Sequence, residues 1–186
     1  QTGNVVLMSQ NFMTGKWEAG LKYLFPLFAF ALGVLIAEQI QHKYKYAKRL
    51  HWRQGILGAE IIILFIVGFI PQRGNMIATV LVSFACAMQV QSFRKVNGFS
   101  YASTMCIGNL RSGTAALSFY LRERRPEQLR QAMYYLGIIV LFAIGAGIGG
   151  NLSANYGIHM IWVSCGLLIV SFLLMFLDIE ARRSRA

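Results

Sequence analysis

Apolar positions in this chain gather into long unbroken runs separated by short polar stretches. Five runs approach or exceed the roughly 20 residues needed to cross a bilayer. They are expected over residues 16–38, 55–71, 76–93, 128–150 and 158–177. Pro26 comes early enough in the first span to kink it rather than abolish it, and Gly33 permits a close helix contact there. Residues 5–15 are apolar but too short to span, which suits a half-length or interfacial helix. Trp17 and Tyr23 then mark a membrane interface. Residues 71–75, Pro-Gln-Arg-Gly-Asn, read as a tight turn, and 151–157 as a turn without charges. Residues 109–121 form a second short helix, with Leu110, Leu117 and Leu121 at helical spacing and the small residues Gly113 and Thr114 between them.

Composition agrees with that pattern. The 186 residues are 56% hydrophobic and only 13% charged, against about 25% in a soluble domain. The expected fold class is therefore an all-α integral membrane helical bundle.

A net charge of +11 would suggest nucleic acid in a soluble chain. Here the distribution of charge argues for topology instead. Five Lys or Arg fall in residues 39–54, seven in 94–130 and three in the tail, leaving only Lys16, Lys22 and Arg73 elsewhere. With five spans, all three basic regions lie on one side, which the positive-inside rule makes cytoplasmic, with the C-terminus. Tyr44, Tyr46 and Trp52, interleaved with the charges of the first basic loop, fit an aromatic belt better than a surface for stacking RNA bases. The expected partner is membrane lipid, and no nucleic acid is expected.

An internal repeat organises the rest. Gly3-Asn4 and Gly108-Asn109 are 105 positions apart. Tyr23-Leu24 matches Tyr135-Leu136, and Phe30-Ala31-Leu32-Gly33 matches Phe142-Ala143-Ile144-Gly145, both at a separation of 112. The Arg-rich segment at 122–126 accommodates the difference. Residues 1–75 read as the first membrane repeat and 76–186 as the second, together one membrane domain. In the second half a span precedes Gly-Asn, so a span is expected ahead of Gln1 as well, giving two three-helix repeats with short broken helices. An odd number of spans per repeat inserts the halves with opposite orientation. Inverted repeats with interrupted helices are a recurring plan in secondary transporters, whose solutes sit where unwound backbone and helix ends meet.

The functional centre is accordingly expected between the two Gly-Asn pairs. A helix start offers unpaired N–H groups and a positive dipole end to a polar or anionic solute. Glycine lets a ligand reach the backbone, and asparagine both donates and accepts. Equally, Asn in this position can simply cap an interfacial helix.

Glu60 lies seven residues past Arg53, about 10 Å along a helix. An intramembrane carboxylate is costly and marks either a proton-coupling or cation site, or a structural pair with a nearby base or with Gln89 or Gln91. Gln89 and Gln91 do not share a helix face. Gln91 is the better site candidate and Gln89 the better helix-joining amide. The candidate solute-binding residues are thus Gly3, Asn4, Gly108, Asn109, Gln91 and Glu60. Arg111 suits a phosphate or lipid headgroup, or simply inside-facing charge.

Other chemistry is not expected. His42, His51 and His159 have no spacing with a second ligand, and the three cysteines form no metal or disulfide pattern. The glycine series at 145–150 follows no strand, so it is a helix-contact face and not a nucleotide loop. No catalytic set is apparent, so no enzyme activity and no cofactor are expected.

The motifs Thr2-Gly3-Asn4 and Ile107-Gly108-Asn109, with Ala87-Met88-Gln89-Val90-Gln91-Ser92 at the end of the span before the second, make the chain resemble the YoaK family. These are bacterial multi-pass membrane proteins of unknown function, which implies the bacterial inner membrane. Ile107 stands where the family has threonine, Gln89 where it has glycine and Ser92 where it has asparagine. The function read from residues and resemblance together is a small-solute membrane transporter, a secondary carrier of a polar or anionic metabolite. The alternative is a non-catalytic membrane subunit that scaffolds a larger complex. A homodimer is compatible with both.

Overall fold

A computed structural model describes residues 1–44, 52–96, 99–100 and 106–183, with the side chains of 95–100 and 178–183 left aside. Tyr46, His51 and the basic residues Lys45, Lys48 and Arg49 lie outside the described residues, as do 103–105 and Arg185. The architecture is helical: α1 (Thr2–Met13), α2 (Trp17–Tyr44), α3 (Trp52–Val67), α4 (Asn75–Ser92), α5 (Cys106–Glu123), α6 (Pro126–Tyr156) and α7 (Ile161–Arg183). One short antiparallel pair, β1 (Lys95–Val96) with β2 (Phe99–Ser100), precedes α5.

Among the described residues, four stretches are long and apolar enough to cross a membrane: Trp17–Tyr44, Gln72–Ser92, Pro126–Tyr156 and Ile158–Leu177. They match four of the five expected spans. The remaining one, expected over 55–71, is realised as α3, whose 16 residues rise about 24 Å, short of a bilayer core of about 30 Å. Its last turn tightens beyond Val67. The amides of Phe69 and Ile70 bond the carbonyls of Ile66 and Val67 at 3.0 Å, which carries helical turns on to the Pro71 corner.

Two compact units are distinguished, Gln1–Ser92 with Tyr156–Ala186, and Phe93–Asn155. In the first, α1 folds back on α2 through Gly15, whose φ of +73° no bulkier residue adopts readily. The Phe12 ring occupies the space above Gly20, where a Cβ would collide with it. α2 runs unbroken through buried Pro26 and packs along α4. At the crossing, a Cβ on Gly33 would lie 2.5 Å from the Phe84 carbonyl oxygen and 2.8 Å from the Ala87 Cβ, which realises the close contact expected there. Ala37, Trp52, Ile56 and Met88 bury one core where α2, α3 and α4 meet. Leu64, Ala85 and Cys165 bury a second where α7 joins α3 and α4.

The far ends of α3 and α7 are tied by side chains bonding helix-end carbonyls. Trp162 Nε1 donates to the Phe65 carbonyl at 3.2 Å, and His159 Nδ1 donates to that of Gly68 at 2.9 Å. Phe65 and Phe69 stack around the same indole, with centroids 6.1 and 5.1 Å away. The indole lies where a Gly68 Cβ would be. Gly68→Ala is expected to push Trp162 off its carbonyl and cost roughly 1–2 kcal/mol. A lower melting temperature in detergent, with a changed tryptophan emission, is the measurement.

In the second unit, α5 and α6 reverse at Arg124, whose φ is 54°, and α6 starts on Pro126, a residue suited to a first helical turn. The packed face of α5 is not its leucine row. Leu110 and Leu121 are exposed, while Asn109, Gly113 and Ala116 are buried. Gly113 sits against Tyr135, where an added Cβ would come within 3.0 Å of the Tyr135 Cβ. Small residues let the two backbones approach, and this close approach decides the face over leucine spacing. α6 also runs past the turn expected at 151. The Asn155 side chain bonds the Asn151 carbonyl one turn back at 2.9 Å, so the asparagines cap within the helix. The chain breaks only at Gly157, φ +74°.

Candidate functional site

Glu60 is the most unusual polar residue in the bundle. It lies on α3 with Ile56 and Leu57 one turn before it and Leu64 one turn after, all buried. Its relative exposure is 4%. Its Oε2 has no hydrogen-bond partner among the described residues. From the neighbouring α7, the Cys165 thiol is within electrostatic reach of the carboxylate and 3.9 Å from the Ile61 carbonyl. A group of this kind normally faces protein polar groups or water, and its bareness here is an unmet requirement.

A second polar cluster joins the ends of α2, α3 and α4 where the first basic loop begins. Gln91 Nε2 donates to the Glu38 carboxylate, linking α4 to α2. Arg53 Nε donates to the Ser92 carbonyl at 3.1 Å, satisfying an open carbonyl at the end of α4, and its guanidinium lies 5.3 Å from the Trp52 ring centre. The Ser92 hydroxyl donates to the Met88 carbonyl at 2.7 Å. Gln91 therefore spends its amide on Glu38, not on Glu60. Glu38 is the participant that sequence reading missed. The available signal was an acid placed at the end of a span, facing a basic loop.

The two Gly-Asn pairs lie in different units. Each occupies the first turn of its helix, Gly3-Asn4 in α1 and Gly108-Asn109 in α5. Neither glycine has a packing reason to be glycine, since a Cβ on either meets nothing within 4 Å. Neither has a positive φ among the described residues. Asn4 Nδ2 donates to Gln1 Oε1 at 2.8 Å, a local contact at the helix start. Asn109 is 4% exposed and engaged within its surroundings. No group of three or more His, Cys, Asp or Glu able to hold a metal occurs among the described residues.

The family model described as "Protein of unknown function (DUF1275)" matches residues 1–174. The chain belongs to this family. The match agrees with the resemblance carried by the Gly-Asn motifs. No curated protein and no solved structure matches. The chain is therefore a multi-pass helical membrane protein of the DUF1275 family.

Proposed function

We propose that this protein is a secondary transporter of a small polar or anionic solute in the bacterial inner membrane, with no catalytic activity of its own. The observation that carries this reading is Glu60, an ionisable residue kept bare in an apolar helix bundle, where such groups mark solute or ion pathways. The glycines at 3 and 108 support it, because an exposed first turn without a side chain leaves backbone N–H groups approachable.

The order of helices also fits the inverted repeat. A short helix, a long one and a medium one follow each other as α1, α2, α3 and again as α5, α6, α7. The basic regions at 39–54, at 94–130 and in the tail then face the cytoplasm. Each Gly-Asn pair is a candidate solute contact within its own unit, and Glu60 is the candidate ion site. Gln91 acts beside them by holding α4 to Glu38.

The test is thermal unfolding of the purified protein in detergent against a panel of metabolite anions. A ligand present at 100 times its dissociation constant stabilises the folded state by about 2.7 kcal/mol, which reads as a melting shift of several degrees. The expected result is a shift with one anion class, lost in Asn109→Ala, followed by uptake of that anion into liposomes carrying the protein. No shift with any anion, together with a second protein purifying in fixed ratio, would favour the scaffolding subunit.

A further inference from the structure

We infer that the ion held at Glu60 is a proton and not a metal cation, so that, on the transport reading above, solute movement is coupled to proton movement. The argument comes from what surrounds the carboxylate. A hard metal cation needs several oxygen ligands, on the order of six for the divalent ions. On α3 Glu60 has Ile56 and Leu57 one turn before it and Leu64 one turn after, and among the described residues no group of three or more His, Cys, Asp or Glu could hold a metal ion. The carbonyls of α3 and α4 at this level are committed to their own helices, which run unbroken on both sides of it.

The charged and titratable groups on the helices packed against α3 do not replace them. Among the described side chains, α4 brings Cys86, α7 brings Cys165, the turn just before α7 brings His159, and α2 brings Glu18, Lys22, Tyr23, Glu38, His42, Lys43 and Tyr44. Glu38 is held by Gln91, His159 by the Gly68 carbonyl, and on α3 itself Arg53 by the Ser92 carbonyl. The Cys165 thiol interacts electrostatically with Glu60. It offers neither a counter-charge nor a hard ligand.

A single carboxylate in such a place has one balanced way to lose its charge. It takes one proton from water, becomes a neutral carboxylic acid and returns the proton when water next reaches it. No bond other than O–H forms or breaks. A proton needs one acceptor atom, and Oε2 is an acceptor with no other partner.

The experiment is infrared spectroscopy of the full protein in lipid, titrated with acid and base, in the wild type and in Glu60→Gln. The chain has seven acidic residues, so a carboxylic-acid C=O band persisting at neutral pH and absent from Glu60→Gln identifies the proton on this one side chain. The same titration is repeated with sodium, potassium and magnesium chloride. The expected result is a band indifferent to the cation, lost in the variant. A Glu60 that is ionised at neutral pH overturns the inference, and so does a band that sodium, potassium or magnesium removes. Uptake into liposomes under an imposed proton gradient separates this inference from the transport reading. A Glu60-dependent band with no proton-driven uptake of any anion would keep the proton site and sink the transporter.

Discussion

Gly33→Leu is expected to melt well below the parent protein in detergent. The glycine lies at the crossing of α2 and α4, where even a methyl group would be 2.5 Å from the Phe84 carbonyl oxygen and 2.8 Å from the Ala87 Cβ. Real Cβ atoms do not approach that closely. The obstacle is backbone, not the flexible end of a side chain, so relief requires α4 to move away from α2. That movement would open the core of Ala37, Trp52, Ile56 and Met88 and loosen the bond between Gln91 and Glu38.

Overpacking costs typically 1–3 kcal/mol where side chains can yield, and a rigid helix backbone places this case at or above the top of that range. For a chain of 186 residues, 3 kcal/mol lowers the melting temperature by roughly 6–12 °C. Gly33→Ala should show the same effect at smaller size. Gly145→Leu is the control. It occupies the matching place in the repeated Phe-Ala-x-Gly motif, yet a Cβ there meets nothing within 4 Å. Equal stability of Gly33→Leu and Gly145→Leu in a thermal melt would mean that the close crossing of α2 and α4 does not exist.

This pair of glycines shows what was legible in the sequence and what was not. Apolar run length announced the helices, since burial in lipid imposes a continuous stretch. The Pro71 corner and Gly33 acted as their local chemistry requires, and α2 runs through Pro26 without a break. The repeat made Gly33 and Gly145 look alike, but a glycine's neighbour is a tertiary fact that spacing does not encode. The packed face of α5 escaped for a related reason. Leucine periodicity marks an apolar face, while close helix approach selects small residues, and Asn109, Gly113 and Ala116 won over Leu110 and Leu121.

In the candidate site, Glu60 could be singled out because a carboxylate two turns inside an apolar run is costly wherever it points. The partner of Gln91 could not be read, since Glu38 is 53 positions away and no periodic signal links them. The helix-end bonds of His159 and Trp162 to α3 were equally silent. Backbone carbonyls accept from any donor that the fold brings near, so such bonds leave no pattern in residue type.

Glu60→Met should melt at a higher temperature than the parent. The wild-type carboxyl is buried at 4% exposure, and its Oε2 has no hydrogen bond to offset the lost hydration. Methionine has nearly the same length and reach, adapts its shape to irregular cores and carries no group to satisfy. Replacing a buried unpaired polar group with an apolar one of similar volume removes a penalty of about 1–3 kcal/mol. That gain should appear as a rise of several degrees in the same detergent.

The sign is diagnostic. If Glu60 were a structural pin, holding α3 to α4 or α7 through a strong bond, the same change would break that bond and lower the melting temperature by a similar amount. Stabilisation combined with loss of solute uptake is the signature of a residue kept at the expense of stability because the protein needs its chemistry. Stabilisation with uptake intact would remove Glu60 from the transport mechanism. A drop in melting temperature would remove the bare carboxylate from the structure, and with it the main support for a proton site in this helix bundle.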